Sequence, residues 1–119
     1  MGLAKATDGT TAALTIGAET TLSTQTTIGV YVLSVNVENL ADGDRLHLRI
    51  YDDVLSADAD RLRWEAFLVN KQGDAAASAA EGPVIVESPP ITVINSAKFT
   101  IEQEAGTGRT FKWRLDRIT

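Results

Sequence analysis

The sequence predicts an all-β protein, an antiparallel β-sandwich or jelly roll of about seven or eight strands with an extended N-terminal arm. Three observations lead there. Apolar residues recur at alternate positions through most of the chain, and on a strand that spacing gathers them on one face. Turn-forming residues interrupt these runs at short intervals, with no helical run long enough to act as a crossover between parallel strands. The pattern is clearest in the last third, where AKFTIEQE sets Ala97, Phe99 and Ile101 against Lys98, Thr100, Glu102 and Glu104. RTFKWRLDRI then sets Phe111, Trp113 and Leu115 against Thr110, Lys112, Arg114 and Asp116. The intervening Ala105-Gly106-Thr107-Gly108 predicts a β-hairpin, and its glycines supply the positive φ of a turn.

Taken in order, residues 1–27 are rich in threonine and small residues, with Leu14, Ile16 and Leu22 as isolated apolar anchors. Threonine favours extended backbone, and few large side chains tie this segment down. It reads as a loosely held arm followed by an edge strand, ahead of a single sandwich domain over 28–119. GVYVLSVNV (29–37) carries Tyr31, Leu33, Val35 and Val37 on one face and begins apolar on both, which suits a central strand. Glu38 to Asp44 contains an Asp-Gly turn signal. RLHLRIYD follows with Leu46, Leu48 and Ile50 inward and Arg45, His47, Arg49 and Tyr51 outward.

DDVLSADAD is a polar connection, and DRLRWEAFLVN resumes with Leu62, Trp64, Ala66 and Leu68 on one parity. A helix over 54–67 competes with this reading, and the alternation of Arg61, Arg63 and Glu65 with Leu62 and Trp64 favours the strand. Residues 71–82 have no large apolar side chain to bury and predict an exposed linker with room for one helical turn. PVIVE is a short strand closed by Ser88-Pro89-Pro90, since proline lacks an amide donor and belongs at strand edges and turns. ITVI follows.

At 119 residues the chain fits one domain, and about two-thirds of its unfolded surface can be buried, enough for a core without staples. No cysteine is present, which removes disulfides, thiolate metal sites and cysteine nucleophiles together. No apolar run approaches the length of a membrane span, and the opening MGLAKATDGTT lacks the layout of a secretion signal. The expectation is a soluble protein with no membrane partner. Sixteen acidic against eleven basic residues give a net charge of −5, so a nucleic acid is not an expected partner. Acidic residues crowd the middle of the chain (Asp42, Asp44, Asp52, Asp53, Asp58, Asp60), and Arg109, Lys112, Arg114 and Arg117 sit on the last strand. Such asymmetry is either a solvated strand face or a charge-complementary contact with another subunit.

The residues offer little for catalysis. His47 is the only histidine, which excludes a multi-histidine metal site, and no acid or nucleophile is placed beside it; it reads as a surface strand histidine. Asp52, Asp53, Asp58 and Asp60 could supply oxygen ligands to calcium, but their spacing matches no calcium loop and reads as a solvated turn. Carboxylate pairs such as Glu65 with Glu102 or Glu104 would need a cleft to act on a glycoside. Gly106-Thr107-Gly108-Arg109 opens a strand rather than a helix, so it is a turn and not a phosphate cradle. Phe99, Phe111, Trp64 and Trp113 share parity with aliphatic neighbours and read as core, which leaves Tyr31, Tyr51 and Phe67 for a surface. No cofactor is implied.

The stretches LSTQTTIGVYVLSVNVENLADGDRLHLRIYDDVL and FTIEQEAGTGRTFKWRL, with the Ser-Pro-Pro segment between them, resemble small virion structural proteins of tailed bacteriophages. The resemblance covers most of 22–115; the Ala-rich stretch 75–80 is longer than in that pattern. It implies a non-enzymatic capsid cement, or decoration, protein on the outside of the head. Its partners would be the major capsid protein and itself, as a dimer or trimer, on a particle assembled in the host cytoplasm. Candidate contact residues are Leu14, Ile16 and Leu22 on the arm and Lys112 and Arg114 on the last strand. On this reading residues 2–20 could be removed without loss of the fold, because the arm works by adding a strand to a neighbour. The alternatives are a tail, neck or receptor-binding component and, outside the virion, a small carbohydrate-binding module.

Overall fold

A computed structural model describes residues 2–53, 61–71 and 84–118. Within them lie nine strands: β1 (Leu3–Thr10), β2 (Glu19–Gln25), β3 (Gly29–Asn36), β4 (Arg45–Asp53), β5 (Arg61–Val69), β6 (Ile85–Glu87), β7 (Ile91–Val93), β8 (Ser96–Ala105) and β9 (Lys112–Ile118). They form two sheets whose pairings are all antiparallel. Sheet A runs β1-β9-β3, with β6 and β7 both on the far edge of β3; sheet B runs β2-β8-β4-β5. The inner faces meet in one core built from Tyr31, Leu33, Val35 and Val37 of β3, Leu46, Leu48 and Ile50 of β4, and Phe99 and Ile101 of β8, closed by Phe111 and Leu115. The all-β class and the inward parities of β3, β4 and β8 are as the sequence predicts.

The closing hairpin is not. β8 lies in sheet B and β9 in sheet A, so residues 106–111 cross between the sheets instead of folding one strand back on the other. A buried carboxylate makes this corner possible. Asp44, just before β4, accepts hydrogen bonds from the backbone N–H of Ala41 (2.9 Å) and Thr107 (3.1 Å) and from Arg109 Nε (2.9 Å). Burial alone would raise its pKa, and these donors overcome that and hold the carboxyl below the ordinary aspartate value. Gly106 sits against Asp44 at a φ of 95°, where a Cβ would collide with the carboxylate, so the corner needs glycine for space as well as conformation. Gln103, fully buried, completes the corner by donating to Ala105 O and Thr107 O and accepting from Arg109 N–H.

Two irregularities adjust side-chain direction. A bulge in the β4–β5 ladder pairs Ile50 with Trp64 but Tyr51 with Leu62, so Leu62 leaves the inward parity of Trp64 and is 51% exposed. The competing helix over 54–67 is excluded from Arg61 onward by the β5 ladder, while 54–60, the linker 72–82 and Pro83 lie outside the described residues. Between β6 and β7, the Ser-Pro-Pro break is bridged by Ser88, whose Oγ accepts from Leu33 N–H (2.9 Å) while its own N–H donates to Leu33 O (2.8 Å). The serine thus supplies an acceptor where the adjacent prolines interrupt the ladder.

Residues 1–27, expected to be an arm and one edge strand, supply an edge strand to each sheet: β1 beside β9 and β2 beside β8. Side chains of β1 are exposed or half-exposed throughout, so β1 is held by its backbone ladder. The loop from β1 to β2 is anchored more firmly than the sequence suggests, with Leu14 in the core, Leu14 N–H bonded to Arg109 O and Gly17 N–H to Gln103 O.

Candidate interaction surface

The register assigns the outer face of sheet A. Tyr31, Leu33 and Val35 point inward, so Val30, Val32, Ser34 and Asn36 point outward, and their cross-strand partners share that face. Leu3 of β1, Ile118 of β9, Val30 of β3 and Thr92 of β7 form one row across the sheet. Ile28 and Ile94 stand in the bends that flank the Gly29–Val93 pair. Leu3 is 62% exposed, Ile28 68% and Ile94 53%, which makes this end of the face aliphatic and wet. Toward the other end, Arg114 Nε donates to Asp116 Oδ1 (2.7 Å), and Lys112 is exposed opposite Thr10 and Asn36. Among the described residues no strand pairs with the outer edge of β1, which borders this face.

The outer face of sheet B has a different chemistry. Glu19 Oε2 accepts hydrogen bonds from Arg49 (3.0 Å), Tyr51 (2.8 Å) and Thr100 (2.7 Å), and Arg49 also donates to Glu102 (2.7 Å). Burial would raise the Glu19 pKa, and the bonds from Thr100, Tyr51 and Arg49 outweigh it, so the carboxyl titrates below its usual range. Tyr51 is pushed up by burial and by the Glu19 charge it donates to, and Arg49 is held still more firmly cationic by its two carboxylates. His47 departs from the expected surface residue: it is 4% exposed. Its outward parity is right, but Phe67 stacks on the imidazole at 3.9 Å and Glu65 Oε2 lies 3.0 Å from Nε2, which together cover it. Arg45 in turn sits over Phe67 and pairs with Glu104 at 3.1 Å.

The five candidate contact residues are not brought together. Lys112 and Arg114 lie exposed on the outer face of sheet A. Leu14 requires correction: buried in the core, it has no surface to offer a partner while the fold is intact. Ile16 is 40% exposed on the connecting loop, and Leu22 is half-buried against the core from β2. Removing 2–20 would therefore extract a core residue and the first pairs of β2, and only 2–10 can be removed as an independent strand. Tyr31 is likewise core, its hydroxyl bonded to Thr27 O, whereas Trp113, expected in the core, is half-buried at its margin. The signal for the aliphatic row was present in Leu3, Ile28, Ile94 and Ile118, but only the register between distant strands shows that they meet.

Glu65, Glu102 and Glu104 are each engaged with a basic partner, His47, Arg49 and Arg45 respectively. Asp52 pairs with Arg63 and Asp53 accepts from Ser96, while Asp58 and Asp60 lie outside the described residues. Among the described residues no cluster of three or more His, Asp or Glu is arranged to hold a metal ion. No protein-family model, no curated protein and no solved structure matches this chain.

Proposed function

We propose that this protein is a non-enzymatic capsid cement protein of a tailed bacteriophage, binding the outside of the head shell and bridging major capsid protein subunits. The observation that supports this reading is the aliphatic row Leu3, Ile118 and Val30, with exposed Ile28 and Ile94 next to it in sequence, beside a β1 edge that no described strand pairs. Contiguous exposed apolar surface favours a partner, because burying it removes water at roughly 25 cal/mol per Å². An open strand edge adds backbone donors and acceptors that a neighbouring strand can satisfy. At the far end of the same face Lys112 supplies positive charge, while Arg114 is paired with Asp116, and Lys112 would orient the protein on an acidic patch of the shell.

The test is sedimentation of the protein with expanded shells of the cognate major capsid protein. Saturable binding in a copy number that is a multiple of the shell's symmetry supports cement, and binding should be lost when residues 2–10 are removed. A handful of copies at one vertex would instead assign it to the neck or tail. Equal occupancy of the truncated protein would remove β1 from the account.

A further inference from the structure

The open side of the sandwich, between the β1 edge of sheet A and the β2 edge of sheet B, holds a groove of about 320 Å³, within the size range of small-molecule sites. No charged side chain lines it, although the chain carries sixteen acidic and eleven basic residues. Thr15 on the loop and Thr20, which pairs with the inward Ile101, border it, and among the described residues neither makes a side-chain hydrogen bond; Thr10 and Thr21 line its rim, with their ladder partners Lys112 and Thr100 on the outer faces. The groove's aromatic wall is Trp113, half-buried, with no intrachain acceptor for its indole N–H among the described residues. Gly9 lies against that ring: a Cβ at position 9 would stand 3.2 Å from indole Cζ2 and Nε1, a tight contact that glycine avoids.

We propose that this groove binds a neutral saccharide, one pyranose ring packing its C–H face on Trp113 while the threonine hydroxyls and the indole N–H bond its hydroxyls. The lining selects that class by elimination. An ionised ligand would find no counter-charge, and a purely apolar one would strip water from the Thr15 and Thr20 hydroxyls and the indole N–H without replacing their hydrogen bonds. A sugar presents both an apolar face and hydroxyls within a few ångströms, and aromatic rings with a polar handle suit such ligands. The site lies between the sheet edges and does not depend on the outer face of sheet A, so it stands or falls separately from shell binding.

The experiment uses the full chain with ¹⁵N-labelled indoles, whose two resonances, from Trp64 and Trp113, are assigned with Trp64→Phe. Methyl glucoside, methyl galactoside, methyl mannoside and N-acetylglucosamine are titrated in turn. At least one should move the Trp113 indole resonance saturably at millimolar concentration while that of Trp64 stays in place. The Thr15→Val/Thr20→Val variant, which keeps shape, should weaken that binding at least about tenfold. Ala13→Leu, on the exposed loop, should abolish it by filling the groove. Three results would overturn the proposal: no sugar moves Trp113, the valine variant binds as well as the parent, or only cognate shells move the resonance. The last would make the groove a protein contact and leave the cement reading standing.

Discussion

The two outer faces of the sandwich are built on the same alternating pattern but satisfy their side chains differently. On sheet B the outward residues of β2, β4 and β8 form a polar network, in which Glu19 joins β2 to β4 and β8, Arg49 bridges two carboxylates, and His47 is covered by Phe67, while Leu62, Phe67 and Val69 of the edge strand β5 remain about half-exposed. On sheet A the outward residues at one end are aliphatic and exposed, and the bordering strand contributes no buried side chain. A face whose polar groups are already paired gains little from a partner, since each bond formed would displace one already made. A face of exposed Leu and Ile beside an open backbone edge gains from one. On the proposed reading, the aliphatic row beside β1 on sheet A is the first place to look for the partner.

Substitutions can break or sharpen that contrast. The largest effect is expected at the corner that holds the sheets together. Asp44→Asn takes the counter-charge from Arg109 and weakens the charge-assisted bonds to the turns at Ala41 and Thr107, and should cost about 1–3 kcal/mol in urea unfolding, because three donors lose a buried carboxylate acceptor. Within sheet A, Ser88→Ala leaves the buried Leu33 N–H without its acceptor and should cost about 1–3 kcal/mol by the same measurement. Sheet B should respond to pH. Glu19 has a folded pKa below the ordinary glutamate value of 4.5, so the stability it contributes is present above that value and lost as pH falls through the lower, folded pKa. Glu19→Gln should therefore cost on the order of 1 kcal/mol at neutral pH, and the gap between parent and variant should close in acid. The smallest stability change belongs to the aliphatic row: Ile28→Lys with Ile94→Lys should stay within about 0.5 kcal/mol of the parent and yet abolish sedimentation with shells.

Strand parity was legible in the sequence wherever one face is buried and the ladder is regular, as in β3, β4 and β8. It failed where geometry depends on partners distant in the chain. Nothing local to Ala105–Gly108 distinguishes a hairpin turn from a sheet-to-sheet corner; the deciding group, Asp44, is some sixty residues away. Leu62 was misplaced by a bulge that alternation cannot reveal, and Leu14 looked like an isolated anchor because its core neighbours come from other strands. Lys112 and Arg114 were correctly expected on an outward face, whereas the aliphatic row beside them consists of single residues from both ends and the middle of the chain. Their sequence contexts give no hint that they share a surface.

Amide hydrogen exchange of the protein free and bound to cognate shells tests the central claim most directly. The account predicts new protection in β1 and β9, residues 3–10 and 112–118, with β4 and β5 exchanging as in the free protein. Protection gained across β4 and β5, with β1 and β9 unchanged, would place the partner on the polar network of sheet B and contradict it.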